Sequence, residues 1–351
     1  MTTTGLTTAL TTALTPSSSP DAASVWRGRT VLVTGGEGFI GSTLIDLLVA
    51  RGARVRAFVH YKPYAEKGYL ARYLDDDRVE MWVGDVRDPG RVDDAVAGCD
   101  TVFHLAALIG IPYSYVSPGA YVQTNVTGTE NVAEACRRHG VRRLVHTSTS
   151  EVYGSALTVP ISEAHPLQPQ SPYSASKIGA DMMALSFHHA FELPVTVVRP
   201  FNTYGPRQSA RAVIPTILAQ LHSGAREIKL GSLTPTRDFT YVTDTAEGFL
   251  AVAESDRALG HVVNLGTGRE ISVGDLARAL VEASGREARI VTDPARRRPA
   301  GSEVERLVSD NSRAREWAGW EPRVSLSEGL RRTSEWIAEN LGLFAPDRYQ
   351  V

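Results

Sequence analysis

The stretch Val31-Leu-Val-Thr-Gly-Gly-Glu-Gly-Phe-Ile-Gly41 decides how the chain is read. Thr30 to Val33 is a β-branched, apolar run with the length of a buried strand. Ser42-Thr-Leu-Ile-Asp-Leu-Leu-Val-Ala50 has its apolar residues at helical spacing. Between them stand Gly35, Gly38 and Gly41. Strand, glycine turn and helix form the context that a dinucleotide-binding fingerprint requires. Gly35 permits the tight turn, Gly38 lets a pyrophosphate approach the backbone, and Gly41 lets the helix lie close to its strand. Free N–H groups at the helix start, with Phe39 and Ile40 among them, then face phosphate oxygens together with the positive end of the helix dipole.

Working outward, similar apolar runs recur between helical stretches. Ala53-Arg-Val-Arg-Ala-Phe-Val59, Val79-Glu-Met-Trp-Val-Gly-Asp-Val86 and Asp100-Thr-Val-Phe-His-Leu-Ala-Ala107 read as strands two to four. Val141–Thr149, Pro194–Pro200 and His261–Leu265 read as strands five to seven. This alternation predicts an α/β fold, a doubly wound parallel Rossmann sheet with a smaller C-terminal α/β lobe. Residues 25–205 form the dinucleotide-binding domain in this reading, with 237–267 returning to it; 206–236 and 268–345 form the substrate lobe. Residues 1–24 are Thr, Ala, Ser and Pro with almost no charge, and are expected to be a disordered tail without the basic head of a secretory signal.

Composition bounds the partners. The 351 residues suffice for two domains or one large one, and the net charge of -2 argues for a small-molecule partner over nucleic acid. Cys99 and Cys136 make neither a disulfide framework nor metal-ligand spacing, so a reducing cytoplasm and no metal are expected. No apolar run is long enough to span a membrane.

The second strand should end near the adenosine ribose, where an acid would select NAD. Val59, His60, Tyr61 and Lys62 stand there instead. Either basic residue suits a 2′-phosphate, so the cofactor is read as NAD, with NADP the alternative. The small residues of Leu105-Ala-Ala107 would let it lie close to the fourth strand.

The fifth strand leads into Ser148-Thr-Ser-Glu-Val-Tyr-Gly154, and Ser171-Pro172 announces a helix opening with Tyr173-Ser-Ala-Ser-Lys177. Tyr and Lys at i and i+4 share a helix face. A nearby ammonium favours phenolate and is expected to draw the Tyr173 pKa from about 10 toward neutrality. Such a tyrosine beside a nicotinamide is a base for a sugar hydroxyl.

These motifs resemble the extended short-chain dehydrogenase/reductases, the NAD-dependent nucleotide-sugar epimerase/dehydratase family, over about residues 29–340. Further motifs carry the likeness: Arg199-Pro-Phe-Asn-Thr-Tyr-Gly-Pro-Arg207, Arg237-Asp-Phe239, Val242-Thr-Asp244 and Asn264-Leu-Gly-Thr-Gly268. Ile111–Val116, Gln208–Val213 and Leu230–Arg237 resemble more narrowly the UDP-N-acetylglucosamine 4,6-dehydratases of legionaminic-type pathways. The resemblance implies that Asp85, followed by Val86, meets the adenine amino group. A helix cap is the other reading of Asp85. It further implies that Asn125 opens a structural Asn-x-x-Gly-Thr element.

Epimerases of the family usually carry small residues where this chain has Glu151, and dehydratases carry an acid. The resemblance therefore implies a redox-neutral 4,6-dehydration. Tyr173 deprotonates the C4 hydroxyl, Thr149 hydrogen-bonds that oxygen, Lys177 holds the nicotinamide ribose, and Glu151 takes the C5 proton. The acid for the departing C6 hydroxyl is either protonated Glu151 or a water held by Ser150. Asn202, Arg207, Arg211, Arg237 and one of Arg296 to Arg298, taken as Arg298, are the candidates for the nucleotide sugar, since guanidinium pairs bidentately with phosphate. The apolar run Met182–Phe187 and the helix around Val126–Ala135 predict a homodimer.

Overall fold

The computed structural model of the chain describes residues 24–61 and 68–344. Lys62 and most of the N-terminal tail lie outside the described residues. The main sheet has seven strands, all parallel. From edge to edge they are Val262–Leu265, Val195–Pro200, Arg143–Thr147, Thr101–His104, Thr30–Thr34, Arg54–Val59 and Val79–Val83. The order reverses beside the glycine-turn strand, which places that turn at the topological switch point, where open α/β sheets bind ligands.

Side chains on a strand alternate between faces, and here each face has its own apolar layer. Val31, Val33, Phe103, Val145 and Val198 pack under Leu44 and Leu48 of the Phe39–Ala50 helix and Phe249 of the Val242–Glu254 helix. Leu32, Val102, Leu144, Val195 and Val197 pack on the opposite side against Val92, Val132, Cys136, Ala184 and Phe187. Each such side chain contributes about 1.5–3 kcal/mol on burial. Cys99 and Cys136 are both buried in this second layer as free thiols.

A third cluster gathers the lobe. It joins Ile214, Ile217 and Leu221 of the Val213–His222 helix, Leu276 and Leu280 of Val273–Ser284, and Leu330 and Ile337 of Leu326–Glu339. Three small sheets accompany it, one of them pairing Asn202–Tyr204 with Phe239–Tyr241 in parallel.

Several elements are shorter than the apolar runs suggest. The third strand stops at Val83, because Gly84 turns under Phe58 where a Cβ would stand 2.5 Å from its ring. Asp85 and Val86 therefore lie on the following turn. The fifth strand stops at Thr147, and Ser150–Tyr153 forms a single 3-10 turn. The helix expected around Val126–Ala135 is a π-helical turn, Val122–Thr127, running into Gly128–Arg138. The long Pro172–Phe191 helix begins with a Ser171–Ser174 capping box and Pro172 in its first turn, and ends with Glu192 in the left-handed region. Among the described residues no helix is long and apolar enough to cross a membrane.

Candidate active site

The glycine turn has the shape its sequence suggests. Gly35 has φ +68°, and a Cβ there would lie 3.0 Å from the Ala106 nitrogen. A Cβ on Gly41 would stand 2.3 Å from the Gly35 carbonyl oxygen. Gly38 caps the Phe39–Ala50 helix without a side-chain hydrogen bond, so the first N–H groups stay open to a ligand. The cradle fits a pyrophosphate. Facing it, the Leu105 and Ala106 N–H groups both donate to Thr34 Oγ1 at 3.1 Å, which fixes the Leu105–Ala107 turn. Asn125 ties this wall to the next element: its Oδ1 accepts from Leu108 N at 2.8 Å and its Nδ2 donates to Ser176 Oγ at 2.9 Å.

Asp85 is not a helix cap. Asp88 caps the Pro89–Val96 helix, accepting from the Gly90 and Arg91 N–H groups. The Asp85 carboxylate instead takes the Arg87 guanidinium at 2.6 Å and lies 3.5 Å from His60 Nε2. The Arg87 hydrogen bond, outweighing partial burial, holds Asp85 down to about 2. Asp85 lines an open cleft of about 450 Å³ with Arg87, Asp88, Gln123 and Thr127. Val86 is buried, its side chain against Gly128, where a Cβ would meet it at 2.8 Å.

Tyr173 and Lys177 share the buried face of their helix. The Lys177 ammonium donates to the Thr147 carbonyl at 2.5 Å. Burial lowers Lys177 to about 8, with Asp181 opposing. The expected fall of Tyr173 toward neutrality is not found in the protein alone. Burial pushes its phenol well above the ordinary value; the Thr149 hydroxyl works against this, while the Glu151 charge and Tyr121 add to it. The reason is that Lys177 is spent on a backbone carbonyl and does not offset the desolvation of a phenolate.

Thr149 caps the turn that carries Glu151, its Oγ1 accepting from the Glu151 N–H at 3.2 Å. Ser150, the first residue of that turn, is buried, whereas Glu151 is partly exposed. The Glu151 charge raises both the Tyr173 phenol and the Arg237 guanidinium.

The arginines named from sequence reach three different places. Arg237 is buried, donates to Thr236 O at 2.9 Å, and lies 3.4 Å from Glu303. Arg298 approaches the same Glu303 at 3.8 Å, so these two face one carboxylate. Arg211 is exposed and near Gly110, where a Cβ would lie 3.2 Å from its Nη1, and its charge reaches Tyr121. Arg207 points away from both groups, toward the glycine-turn helix, donating to Asp46 at 2.9 Å and Ser42 Oγ at 3.2 Å. Asn202 Oδ1 is buried without a hydrogen-bond partner among the described residues, as an oxygen aimed at a ligand would be.

The description "GDP-mannose 4,6 dehydratase" belongs to the family model that matches residues 32–333. The chain belongs to this NAD-dependent epimerase/dehydratase family of extended short-chain dehydrogenases. Among its relatives, a dTDP-glucose 4,6-dehydratase of Streptomyces antibioticus is 36% identical over 320 residues, 90% of this chain and 94% of that protein. A UDP-glucose 4-epimerase of Mycolicibacterium smegmatis is 35% identical, covering 87% of this chain and 97% of its own. The dTDP-glucose 4,6-dehydratase of Streptomyces venezuelae, solved with NAD bound, superposes with a TM-score of 0.83 at 32% identity, over 91% of this chain and 100% of that one.

Within this epimerase/dehydratase site, sequence reading passed over several side chains. Tyr121 sets its ring edge-on to Tyr173, with centroids 6.2 Å apart, and donates its hydroxyl to Gly110 O. Nothing in its local sequence marks it, because the contact comes from another element. Asp181 is one helical turn beyond Lys177, so the spacing that exposed Tyr173 and Lys177 also pointed to it. Among the described residues no group of three or more His, Cys, Asp or Glu side chains is placed to hold a metal.

Proposed function

We propose that the chain is a nucleotide-sugar 4,6-dehydratase that makes an NDP-4-keto-6-deoxyhexose, with UDP-N-acetylglucosamine as substrate and NAD as cofactor. The single observation carrying this is the acid Glu151 on the turn that Thr149 caps, the Thr149 hydroxyl accepting from the Glu151 N–H at 3.2 Å. An acid at that point serves elimination and has no task in a 4-epimerase. The UDP-N-acetylglucosamine assignment rests on the Ile111–Val116, Gln208–Val213 and Leu230–Arg237 stretches.

Tyr173 accepts the C4 hydroxyl proton, and Thr149 hydrogen-bonds the same oxygen as it becomes a ketone. A bound nicotinamide supplies the hydride acceptor for C4 and the hydride donor for C6. The ketone acidifies C5, Glu151 removes that proton, and the C6 hydroxyl leaves as water with a proton from Glu151 itself or from a water held by Ser150; C5 takes up a proton again as C6 is reduced. Arg237, Arg298 and Asn202 hold the nucleotide sugar, and the lobe of residues 206–236 and 268–345 closes on it. Arg211, beside Tyr121, faces the hexose end. Gly35, Gly38 and Gly41 hold the pyrophosphate, and Lys177 the nicotinamide ribose. With Lys177 donating to the Thr147 carbonyl, phenolate at Tyr173 would draw its remaining stabilisation from the positive charge that an oxidised nicotinamide would supply there.

A panel of UDP-, dTDP- and GDP-hexoses scored for 4-keto-6-deoxy product tests the reading. Glu151→Gln keeps size and removes the base, so reduced cofactor accumulates while turnover falls by about two to four orders of magnitude. Tyr173→Phe abolishes the reduced-cofactor signal itself. Native-rate product from Glu151→Gln would sink the dehydratase reading in favour of a 4-epimerase. We place the enzyme in the cytoplasm as a homodimer. Exposed Val122 and Met182, on the turn before Gly128–Arg138 and on Pro172–Phe191, mark its four-helix interface. Sedimentation as a monomer at micromolar concentration rules the dimer out.

A further inference from the structure

Behind the reacting groups lies a buried polar network that the mechanism above does not use. Asp181, with no exposure, accepts at Oδ2 from Ser148 Oγ at 2.7 Å and from Arg199 Nε and Nη2 at 3.1 and 2.9 Å. Its Oδ1 lies 3.3 Å from His146 Nε2. Arg199 Nη1 donates to the Tyr153 hydroxyl at 3.0 Å, and that hydroxyl donates to Asn264 Oδ1 at 2.8 Å. Burial alone would raise Asp181, yet His146, Arg199 and Lys177 keep it lowered, so it is a carboxylate in the folded enzyme.

A buried ion pair of this kind is weak evidence for stability, since its desolvation cost rivals its attraction. Its contacts suggest what else it does. Ser148 immediately precedes Thr149, and Tyr153 closes the 3-10 turn that carries Glu151. The segment holding both reacting side chains is therefore pinned at each end to one ion pair, and that pair belongs partly to the helix bearing Tyr173 and Lys177.

We propose that Asp181 and Arg199 form a positioning unit with two separate arms, Ser148 setting Thr149 for oxidation at C4 and Tyr153 setting Glu151 for proton removal at C5. This rests on the dehydratase reading. Neither arm touches substrate; each acts through its neighbour. Because the arms end on different residues, loss of one disturbs one half-reaction. A merely structural role would depress both halves together.

The test uses Tyr153→Phe and Ser148→Ala enzymes with UDP-N-acetylglucosamine, and dTDP-glucose alongside. Reduced-cofactor absorbance follows oxidation, and solvent deuterium uptake at C5 follows elimination. Tyr153→Phe is expected to oxidise C4 within about twofold of the native rate while C5 exchange falls roughly tenfold, the worth of one buried hydrogen bond. Ser148→Ala is expected to slow oxidation by a similar factor and leave C5 exchange per oxidised sugar unchanged. Equal loss of both steps in each variant, or no loss in either, overturns the two-arm coupling. Where Tyr153→Phe does not fold, Ser148→Ala decides alone, and an unchanged oxidation rate overturns the proposal. Absence of C5 exchange in the unaltered enzyme with both sugars overturns the dehydratase reading itself, and the proposal with it.

Discussion

The glycine turn and the arginines of the candidate substrate side offer anion-binding groups by opposite means. Between Gly35 and Gly41 the donors are backbone N–H groups of consecutive residues, and their geometry is set by where no side chain fits. On the other side the donors are guanidinium groups drawn from Arg207 to Arg298, and each points where a distant partner sends it. A backbone cradle is a local object, readable from contiguous residues. A side-chain site is a tertiary object, and its members separate once the fold is known.

The comparison breaks first at Gly41, where the largest effect is expected. Alanine there should gain about 1 kcal/mol of helix propensity. Its Cβ would nevertheless stand 2.3 Å from the Gly35 carbonyl, a backbone atom that cannot swing aside. Overpacking of about 1–3 kcal/mol outweighs that gain, and the cradle itself is forced open. Gly41→Ala should bind NAD roughly a hundredfold more weakly, which is about 2.8 kcal/mol, as read by titration. Native affinity would mean that the turn is not the pyrophosphate site.

Next come the arginines. Arg237→Gln leaves Glu303 without its nearer cation and should weaken nucleotide-sugar affinity by about 2–3 kcal/mol, as a buried charged contact does. Arg207→Ala should leave that affinity nearly unchanged, because its guanidinium is held by Asp46 and Ser42. Its cost should appear in NAD affinity and melting temperature, since it ties the lobe to the glycine-turn helix. Equal losses of sugar affinity in both variants would contradict the separation seen in the fold.

These cases mark what sequence could deliver. The strands were legible because buried parallel strands are continuous apolar runs, although the runs overstate their ends at Val83 and Thr147. The placement of Tyr173 and Lys177 on one buried helix face, and of Thr149 just past a strand end, was legible from spacing. Arg207 stands in the same motif as Asn202, but its left-handed backbone, φ +73°, and its bonds to Asp46 and Ser42 could not be read from the motif. Tyr121 and Glu303 were invisible, and Arg199 stood in a motif that did not show its partner Asp181, since each matters through a residue elsewhere in the chain.

A smaller effect lies at Lys177, on the seam between the two sides. Its folded pKa is lowered to about 8 from an ordinary 10.5, so between these values the unfolded chain binds more protons. Stability from this group therefore rises with pH across that window, and the burial penalty is felt in full below it. In the enzyme without ligand, Lys177→Met should melt higher than native at pH 7, and the gap should narrow as pH approaches 10. A gap that widens with pH would mean that Lys177 is not held down in the folded state.

The smallest effect concerns the choice of cofactor. The second strand ends at Val59 and is followed by His60 with no acid, and on sequence alone that left room for a 2′-phosphate. In the fold, Asp85, on the turn after the neighbouring strand, comes to 3.5 Å from His60 Nε2, and its pKa of about 2 keeps it ionised at neutral pH. A carboxylate here would repel a 2′-phosphate, as an acid at the end of the second strand would. Both groups are partly exposed, and solvent limits such an interaction to about 0–1 kcal/mol. Asp85→Asn should therefore improve NADP+ affinity relative to NAD+ by no more than about fivefold, and His60→Ala should shift the ratio still less. Fluorescence titration of the two cofactors decides it. An equal loss of both would put Asp85 on the adenine, which the two forms share, and leave the selectivity unexplained by this carboxylate.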